Sequence, residues 1–313
     1  MESTPGKWRR LHQAADPRGA FAILAIDHRG PLRRALAPPV GAGGADGALV
    51  ELKIDIVRAL APACTAVLLD PETGVGPCVA AGALPGQTGL LVALDTGSTG
   101  DPAVLRTGLV EGWDAARAAR IGAQGVKLLV YYHPEAPNAV EVEQLVSRIG
   151  RACDEVDLPF YLEPLSYDPA QPGRPLPPEE RRRVVLASAR RLVPLGVDVL
   201  KAEFPVDVAA QPDEAVWRGA CAELSAVCAA PWVLLSAGVS FETFFRQAAV
   251  ACAAGASGVM AGRAVWHEAV TADRAARTRF LRDVATERMA RLAALCAERA
   301  RPFARPPPDS TPL

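Results

Sequence analysis

The chain has 313 residues, 34 basic and 35 acidic side chains and a formal net charge of -1, and half of its residues are hydrophobic. The hydrophobic fraction is too high for a disordered protein, and the near-zero net charge argues against a nucleic-acid-binding protein, because such proteins gain affinity by neutralising phosphates. No apolar run reaches the roughly 20 residues that a membrane span requires, so we expect no membrane-anchored protein.

The amino terminus and the cysteines favour a cytoplasmic protein. The first six residues lack the basic and then apolar pattern of a signal peptide. The seven cysteines are widely spaced, odd in number and without a C-x-x-C pair, which is typical of reduced thiols and argues against a disulfide framework or a zinc site. Lysine occurs only four times, and every other basic side chain is an arginine.

Short apolar runs alternate with segments of helical periodicity along most of the chain. The predicted strands are 21–26, 66–69, 90–94, 126–132, 160–165, 197–204, 232–235 and 258–263. The predicted helices are 49–61, 113–121, 140–156, 179–195, 214–228, 241–254 and 272–300. Eight strand–helix units in about 250 residues are typical of a TIM barrel, and continuously apolar strands predict a parallel sheet covered by helices. We therefore predict an α/β fold, a (β/α)8 TIM barrel of eight parallel strands.

The alternative fold is a doubly wound open sheet, which usually has five or six strands. The sequence also lacks the G-x-G-x-x-G turn of a Rossmann fold after the first strand. Because no linker interrupts the alternation, we predict one barrel domain, 19–301, preceded by a polar lead-in, 1–18, and followed by a flexible tail, 302–313. The last predicted helix has more apolar positions than one barrel layer needs, and we therefore expect a homo-oligomer.

Polar residues follow or interrupt the predicted strands. They are Asp27, His28, Arg29, Asp70, Glu72, Asp95, His133, Glu163, Lys201, Glu203, Ser236 and Arg263. Active sites of TIM barrels lie at the carboxyl ends of the strands. The most informative residues are those that interrupt an apolar strand before it ends, because strands must end in polar residues anyway.

Lys201 interrupts the sixth predicted strand. Burial favours the neutral amine of a lysine, the form that attacks a carbonyl to give a Schiff base, whereas arginine stays charged and forms no imine. The sequence therefore predicts a Schiff-base nucleophile at Lys201. The alternative is a lysine that extends to solvent from the strand end or pairs with Glu203.

Lys127 and Glu163 interrupt the fourth and fifth predicted strands in the same way. Since strands four, five and six are neighbours in a barrel, these two residues and Lys201 are predicted to form an amine–carboxylate–amine cluster. In that cluster Glu163 moves protons, and Lys127 favours the neutral amine at Lys201 or binds a substrate oxygen. A structural salt bridge among the three side chains is the alternative.

The last two predicted strands end in residues that suit an anion. They are Ser236, Gly238, Gly262 and Arg263. Loops after these two strands are the usual phosphate site of TIM barrels, where glycine admits backbone amides and arginine supplies a charged fork. Plain turn geometry for the glycines and an ion pair at the barrel rim for the arginine are the alternatives.

Histidine and the two remaining lysines predict no further chemistry. The four histidines, His12, His28, His133 and His267, lack metal-ligand spacing, so we predict no metal and no cofactor. His28 and His133 end predicted strands, and a polar role in the site and a surface or capping role are both open. Lys7 and Lys53 are expected to be solvated.

Segments in nearly the whole predicted barrel resemble one family. They are 25–30, 68–72, 127–132, 161–164, 198–205, 235–240 and 261–266. These segments are similar to the class I aldolases of the tagatose-1,6-bisphosphate aldolase group, which includes bacterial sulfofructose-phosphate aldolases. Segment 70–72 is more similar to the tagatose-bisphosphate branch and segment 261–266 to the sulfosugar branch. The sequence departs from the family pattern at His28, where the pattern has glutamine.

The resemblance implies roles for the predicted site residues. Lys201 is then the Schiff-base lysine, Glu163 the proton-transfer carboxylate and Lys127 a second active-site lysine. Ser236, Gly238, Gly262 and Arg263 hold the C1 phosphate, and Asp27 and His28 contact substrate hydroxyls. Arg29, Arg33 and Arg34 are expected to bind an anionic group on C6 of the substrate.

The reaction implied by the resemblance is metal-free, reversible aldol cleavage. A ketose 1-phosphate or 1,6-bisphosphate gives dihydroxyacetone phosphate and an aldehyde, so a small-molecule sugar phosphate is the expected partner. A sulfofructose-1-phosphate aldolase and a non-catalytic sugar-phosphate-binding barrel are the alternatives.

Overall fold

The computed structural model describes residues 4–36, 44–99, 104–172, 174, 176–271 and 273–303. The strands in these ranges are β1 (Phe21–Ile26), β2 (Ala66–Leu69), β3 (Gly89–Ala93), β4 (Asp95–Thr99), β5 (Arg106–Leu109), β6 (Gly125–Tyr131), β7 (Phe160–Leu165), β8 (Val199–Ala202), β9 (Trp232–Leu235) and β10 (Gly258–Ala261). Among them, eight parallel strands close into a barrel in the order β1, β2, β3, β6, β7, β8, β9, β10. The predicted TIM barrel is confirmed.

Helices cover the outside of the barrel. In the described ranges they are α1 (Pro5–Gln13), α2 (Gly30–Ala35), α3 (Gly44–Leu60), α4 (Gly76–Ala80), α5 (Ala115–Arg120), α6 (Ala139–Asp154), α7 (Pro178–Leu192), α8 (Glu214–Val227), α9 (Phe241–Ala253), α10 (Arg263–Trp266), α11 (Arg274–Phe280) and α12 (Thr286–Arg299). Several of them begin where the sequence has a capping side chain. Asp114, Asp213 and Ser240 each accept a hydrogen bond from a backbone amide of the first turn.

Each barrel strand is buried on both faces, which explains its continuous apolar sequence. On β1, Phe21, Ile23 and Ala25 face the barrel interior. The alternate residues Ala22 and Leu24 pack against the helices. Because side chains alternate between the two faces of a strand, one apolar run supplies both layers of the core.

The amino end of the barrel is closed by α1, which falls within the predicted polar lead-in. Lys7 on this helix is 2% exposed, and its Nζ lies 2.6 Å from Asp154 and 2.7 Å from Asp198. The expectation that Lys7 is solvated is wrong, because two carboxylates distant in sequence compensate the buried charge.

Lys53, on α3, is also buried, so the expectation that it is solvated is wrong as well. Its Nζ donates to Asp70, and both side chains are fully buried. Asp70 in addition accepts a hydrogen bond from the backbone amide of Thr73 and so caps a short π-helical turn, Pro71–Val75, after β2. The pair therefore fixes the loop that follows β2.

Residues at the carboxyl end of the chain pack on the barrel. Phe303 is buried and stacks on Phe21 with ring centroids 5.4 Å apart, although it was predicted to lie in the flexible tail. Residues 304–313 of that tail lie outside the described ranges. The apolar positions of α12, among them Met289 and Leu292, are buried within the chain. The apolar surface that suggested a homo-oligomer is therefore already covered, and the oligomer stays a prediction.

Two further features complete the fold. The strands β4 and β5 form an antiparallel hairpin that was not predicted from the sequence; it follows β3 and places Asp95 at the carboxyl end of the barrel. No helix in the described ranges is both long and apolar enough to cross a membrane.

Candidate active site

A cavity of about 520 Å³ opens at the carboxyl ends of the barrel strands. Ten site residues predicted from the sequence line this cavity: Asp27, His28, Arg29, Lys127, Glu163, Lys201, Ser236, Gly238, Gly262 and Arg263. The barrel thus brings together residues that are up to 236 positions apart in the sequence.

Lys201 and Glu163 lie side by side on neighbouring strands. Leu162 on β7 is opposite Leu200 on β8, so the next residue of each strand projects into the barrel from the same face. The Lys201 Nζ is 2.8 Å from Glu163 Oε1, and the two side chains are only 5% and 9% exposed. A buried amine therefore lies within proton-transfer distance of a carboxylate.

Lys127 reaches the same carboxylate from a lower level of the barrel. It is opposite Tyr161 on β7, whereas Glu163 is opposite Leu129 on β6. The Lys127 backbone is therefore two residues, about 6.6 Å, below that of Glu163. Its extended side chain spans this step, and Nζ lies 2.7 Å from Glu163 Oε2. Glu163 thus bridges the two lysines.

Three carboxylates surround the Lys127 ammonium. Besides Glu163, its Nζ lies 2.8 Å from Asp27 Oδ2 and 3.1 Å from Asp95 Oδ1. Burial by itself lowers the pKa of Lys127, but the three negative charges outweigh it and raise the pKa well above its ordinary value. Lys127 is therefore a fixed positive charge beside Glu163.

The carboxyl groups of the cluster differ in whether burial or the nearby positive charges determine the direction of the pKa shift. Burial raises the pKa of Glu163, but Lys127 and Lys201 outweigh it and lower that pKa. The same balance lowers the pKa of Asp27. For Asp95 the effect of burial dominates and raises the pKa. Glu163 is therefore held ionised, in the form that accepts a proton.

The loops after β9 and β10 form the opposite end of the cavity. In the turn after β9, Ala237 and Gly238 both have positive φ, 47° and 77°, which is uncommon for alanine. A Cβ at Gly238 would lie 3.2 Å from the Arg263 guanidinium carbon, so glycine lets that cation pack on the turn. The Ser236 hydroxyl accepts a hydrogen bond of 3.2 Å from the Gly262 amide.

His28 is held between the carboxylate cluster and the loops of this end. Its ring packs edge-on against Trp266 with centroids 5.3 Å apart, and its Nδ1 is 3.7 Å from Asp27 Oδ1. Burial, with a further contribution from the Arg263 charge, lowers the pKa of His28 to about 4, although Asp27 opposes the shift. The imidazole is therefore neutral near pH 7. Nδ1 is buried and has no hydrogen-bond partner among the described residues.

Arg29 links two loops at the edge of the cavity. Its Nη1 lies 2.8 Å from Glu72 Oε2, and its Nη2 donates to the backbone carbonyl of Asp95. Both terminal nitrogens of this side chain are thus engaged by the protein. Of the two other arginines expected near a C6 anion, Arg33 pairs with Asp46, and neither it nor Arg34 lines the cavity.

Some cavity residues were not in the predicted site. They include Asp95, Ser166, Arg181 and Glu203. Asp95 and Glu203 could have been predicted as site residues, because each lies at the end of an apolar run in the sequence. Arg181 lies in the first turn of α7 and has no comparable signal. Glu203 does not pair with Lys201, the alternative considered from the sequence, but with Arg181 and Ser166.

His133 does not line the cavity, although it follows β6 closely. It is buried against α7, and its Nε2 is 3.8 Å from Glu180. Across the described ranges, no three His, Cys, Asp or Glu side chains form a group that could hold a metal ion.

Comparison with known proteins identifies the family of this chain. Residues 21–268 match the family described as DeoC/LacD family aldolase. The chain belongs to the DeoC/LacD family of aldolases. Members of this aldolase family are carbon–carbon lyases, and the resemblance noted from the sequence is confirmed.

Individual relatives agree with this assignment. The chain is 32% identical over 284 residues to tagatose 1,6-diphosphate aldolase of Streptococcus agalactiae serotype V, covering 85% of this chain and 86% of the relative. It is 31% identical over 296 residues to the protein of the same name from Listeria monocytogenes serotype 4b, covering 86% and 84%.

Solved structures share the barrel at low sequence identity. An archaeal fructose 1,6-bisphosphate aldolase matches with a TM-score of 0.63 and 20% identity, covering 93% of this chain and 99% of the other. The fructose-bisphosphate aldolase of Plasmodium falciparum matches with a TM-score of 0.70 and 15% identity, covering 96% and 98%. At these identities the likeness concerns the fold.

Proposed function

We propose that this chain is a Schiff-base aldolase that reversibly cleaves a ketose 1-phosphate or ketose 1,6-bisphosphate to dihydroxyacetone phosphate and an aldehyde. The observation that supports this most strongly is the buried bridge of Lys127, Glu163 and Lys201 at the carboxyl end of the barrel. The name of the relatives, tagatose 1,6-diphosphate aldolase, supports a phosphorylated ketose as substrate.

In the proposed mechanism Lys201 is the nucleophile. After Glu163 takes a proton from its ammonium, the Nζ lone pair attacks the C2 carbonyl of the ketose and forms a carbinolamine. Glu163 then returns its proton to the C2 oxygen, which leaves as water and gives an iminium ion, the electron sink for the next step.

Glu163 is the proposed base for bond cleavage. It removes the proton of the C4 hydroxyl, the C3–C4 bond breaks, and its electron pair moves onto the iminium to give an enamine. The C4 carbon leaves as an aldehyde. Glu163 returns the proton of the C4 hydroxyl to C3 of the enamine, and water hydrolyses the resulting iminium to release dihydroxyacetone phosphate and free Lys201.

The remaining cavity residues have supporting roles in this proposal. Lys127, as a fixed ammonium, stabilises negative charge on substrate oxygens while Asp27 and neutral His28 contact hydroxyls. The turn of Ser236 and Gly238 binds the C1 phosphate together with Arg263. The turn supplies backbone amides, and the Arg263 guanidinium packs on it and has no ion-pair partner among the described residues.

Borohydride trapping tests the proposed function. Incubation with dihydroxyacetone phosphate and borohydride is expected to add the mass of the reduced adduct to the peptide that contains Lys201 and to abolish activity. The Lys201→Arg variant should gain no mass, because a guanidinium forms no imine. Trapping at another lysine, or full activity of Lys201→Arg, would contradict the proposal.

A further inference from the structure

Arg181 leaves one edge of its guanidinium unpaired at the cavity wall. Its Nη1 is 3.3 Å from Glu203 Oε1. Its Nε is buried and has no hydrogen-bond partner among the described residues, and the structure gives Nη2 no acceptor in those ranges either. A buried donor without an acceptor is unfavourable. The Nε–Nη2 edge is also the fork that binds an oxyanion through two parallel hydrogen bonds.

Glu203 fixes Arg181 in this position. Its Oε2 accepts hydrogen bonds from the Ser166 amide, at 2.7 Å, and from the Ser166 hydroxyl, at 2.5 Å. Its other oxygen faces the guanidinium. The carboxylate is thus attached to the loop after β7, so Arg181 cannot turn away without breaking a partly buried ion pair. All three side chains line the cavity.

The position of Arg181 relative to Lys201 suits the far end of a substrate. In the barrel order, β8 with Lys201 lies between β9, which leads to the turn at Gly238, and β7, which leads to Ser166. A ketose whose C1 phosphate lies at the β9 and β10 loops and whose C2 is bonded to Lys201 extends its remaining carbons away from those loops. Arg181 lies on that other side of the nucleophile.

Other cations are less available at this end of the cavity. Both terminal nitrogens of Arg29 are engaged by Glu72 and the Asp95 carbonyl. The segments outside the described ranges between 37 and 272 contain no lysine or arginine. Arg181 is therefore the cavity arginine with a free fork on the side away from Arg263.

We infer that Arg181, held by Glu203, binds an oxyanion, a phosphate or a sulfonate, at the far end of the aldehyde half of the substrate. This inference rests on the proposed aldolase function. Arg181 is a binding residue in this account, and Glu203 is a positioning residue that acts through it.

Aldol addition with three aldehydes tests the subsite. Dihydroxyacetone phosphate is combined with glyceraldehyde 3-phosphate, with its 3-sulfonate counterpart and with glyceraldehyde, and kcat/KM is measured for each aldehyde. Wild type should prefer one of the anionic aldehydes, and that aldehyde identifies the anion. In Arg181→Gln the kcat/KM for this aldehyde, divided by the kcat/KM for glyceraldehyde, should fall about 10- to 100-fold. This is the expected effect of losing a charge-assisted hydrogen bond.

Three further variants separate charge, geometry and position. Arg181→Lys keeps the charge but not the fork and should lose part of the ratio. Glu203→Gln should lower the ratio mainly through KM for the anionic aldehyde, because it weakens the hold on Arg181. Arg182→Gln is the matched control, since Arg182 is the next residue of α7 and pairs with Glu223 at the surface; its ratio should stay within about twofold of wild type.

The outcomes distinguish this inference from the proposed function. If borohydride traps Lys201 in wild type but neither Arg181 variant changes the ratio, or wild type shows no preference for an anionic aldehyde, the subsite is disproved and the aldolase stands. If wild type is not trapped at Lys201, the proposed function fails, and the subsite fails with it. Arg181→Lys decides the question if Arg181→Gln does not fold.

Discussion

The two oxygens of Glu163 contact two different lysines: Oε1 lies 2.8 Å from Nζ of Lys201, and Oε2 lies 2.7 Å from Nζ of Lys127. The lysines enter from strands on either side of β7. This bridge gives one carboxylate access to the proposed nucleophile while a permanently charged neighbour holds it ionised.

Replacing Glu163 should separate imine formation from bond cleavage. In Glu163→Gln the base for the C4 hydroxyl is lost, and kcat for cleavage should fall by about 10²- to 10⁴-fold. Borohydride with dihydroxyacetone phosphate should still add mass at Lys201, at a lower rate, because the amine remains. Steady-state kinetics and mass spectrometry measure the two effects, and a Glu163→Gln enzyme of near wild-type kcat would contradict the assignment.

Adding a side chain at Gly238 should weaken phosphate binding. Gly238 has φ +77°, and a Cβ there would lie 3.2 Å from the Arg263 guanidinium carbon. Both the strained backbone and the displaced cation should raise the Kd for dihydroxyacetone phosphate in Gly238→Ala about tenfold or more. Calorimetric titration measures this Kd.

A helical glycine provides the control for that experiment. Gly219 lies in α8, and a Cβ added there would meet no atom within 4 Å. Gly219→Ala should leave the Kd unchanged and stabilise the fold slightly, because alanine favours the helix. Equal effects of the two alanine substitutions on the Kd would argue against a phosphate site at Gly238.

His28 should make the protein less stable in mild acid. An unfolded histidine binds a proton near pH 6.5, whereas burial lowers the pKa of folded His28 to about 4. Between these pH values the unfolded state binds more protons, so this residue makes the free energy of unfolding fall as pH falls. Urea unfolding at pH 7 and pH 5 should show a smaller loss for His28→Gln than for wild type, and an equal loss in both proteins would refute the expectation.

Lys53 should be important for stability and not for chemistry. Lys53→Met leaves the buried Asp70 carboxylate without its partner, and the free energy of unfolding should fall by about 3–5 kcal/mol. Arg58→Met is the control, because Arg58 is exposed on the same helix and should change stability by about 0.5 kcal/mol or less. Urea unfolding measures both variants. A loss below about 1 kcal/mol for Lys53→Met would show that Asp70 does not depend on the lysine.

The fold was largely readable from local sequence patterns. The predicted strands 21–26, 66–69, 160–165 and 232–235 coincide with observed strands, and 90–94 and 126–132 differ from theirs by one residue at each end. The reason is that a parallel barrel strand buries both faces, so it appears as an uninterrupted apolar run. The hairpin of β4 and β5 has no such run, because it lies outside the barrel.

Most strand-end residues of the cavity could be predicted from the sequence, because a barrel gathers the carboxyl ends of its strands on one side. Apart from the predicted cluster of Lys127, Glu163 and Lys201, the pairing of side chains emerges only from the folded chain. Lys7 and Lys53 looked like surface lysines until Asp198 and Asp70 were found beside them, and Arg181 has no signal in its own helix. A local sequence pattern indicates which side chains of one helix or strand are buried and which face they lie on. An ion pair depends on the distance between elements that are far apart in the chain.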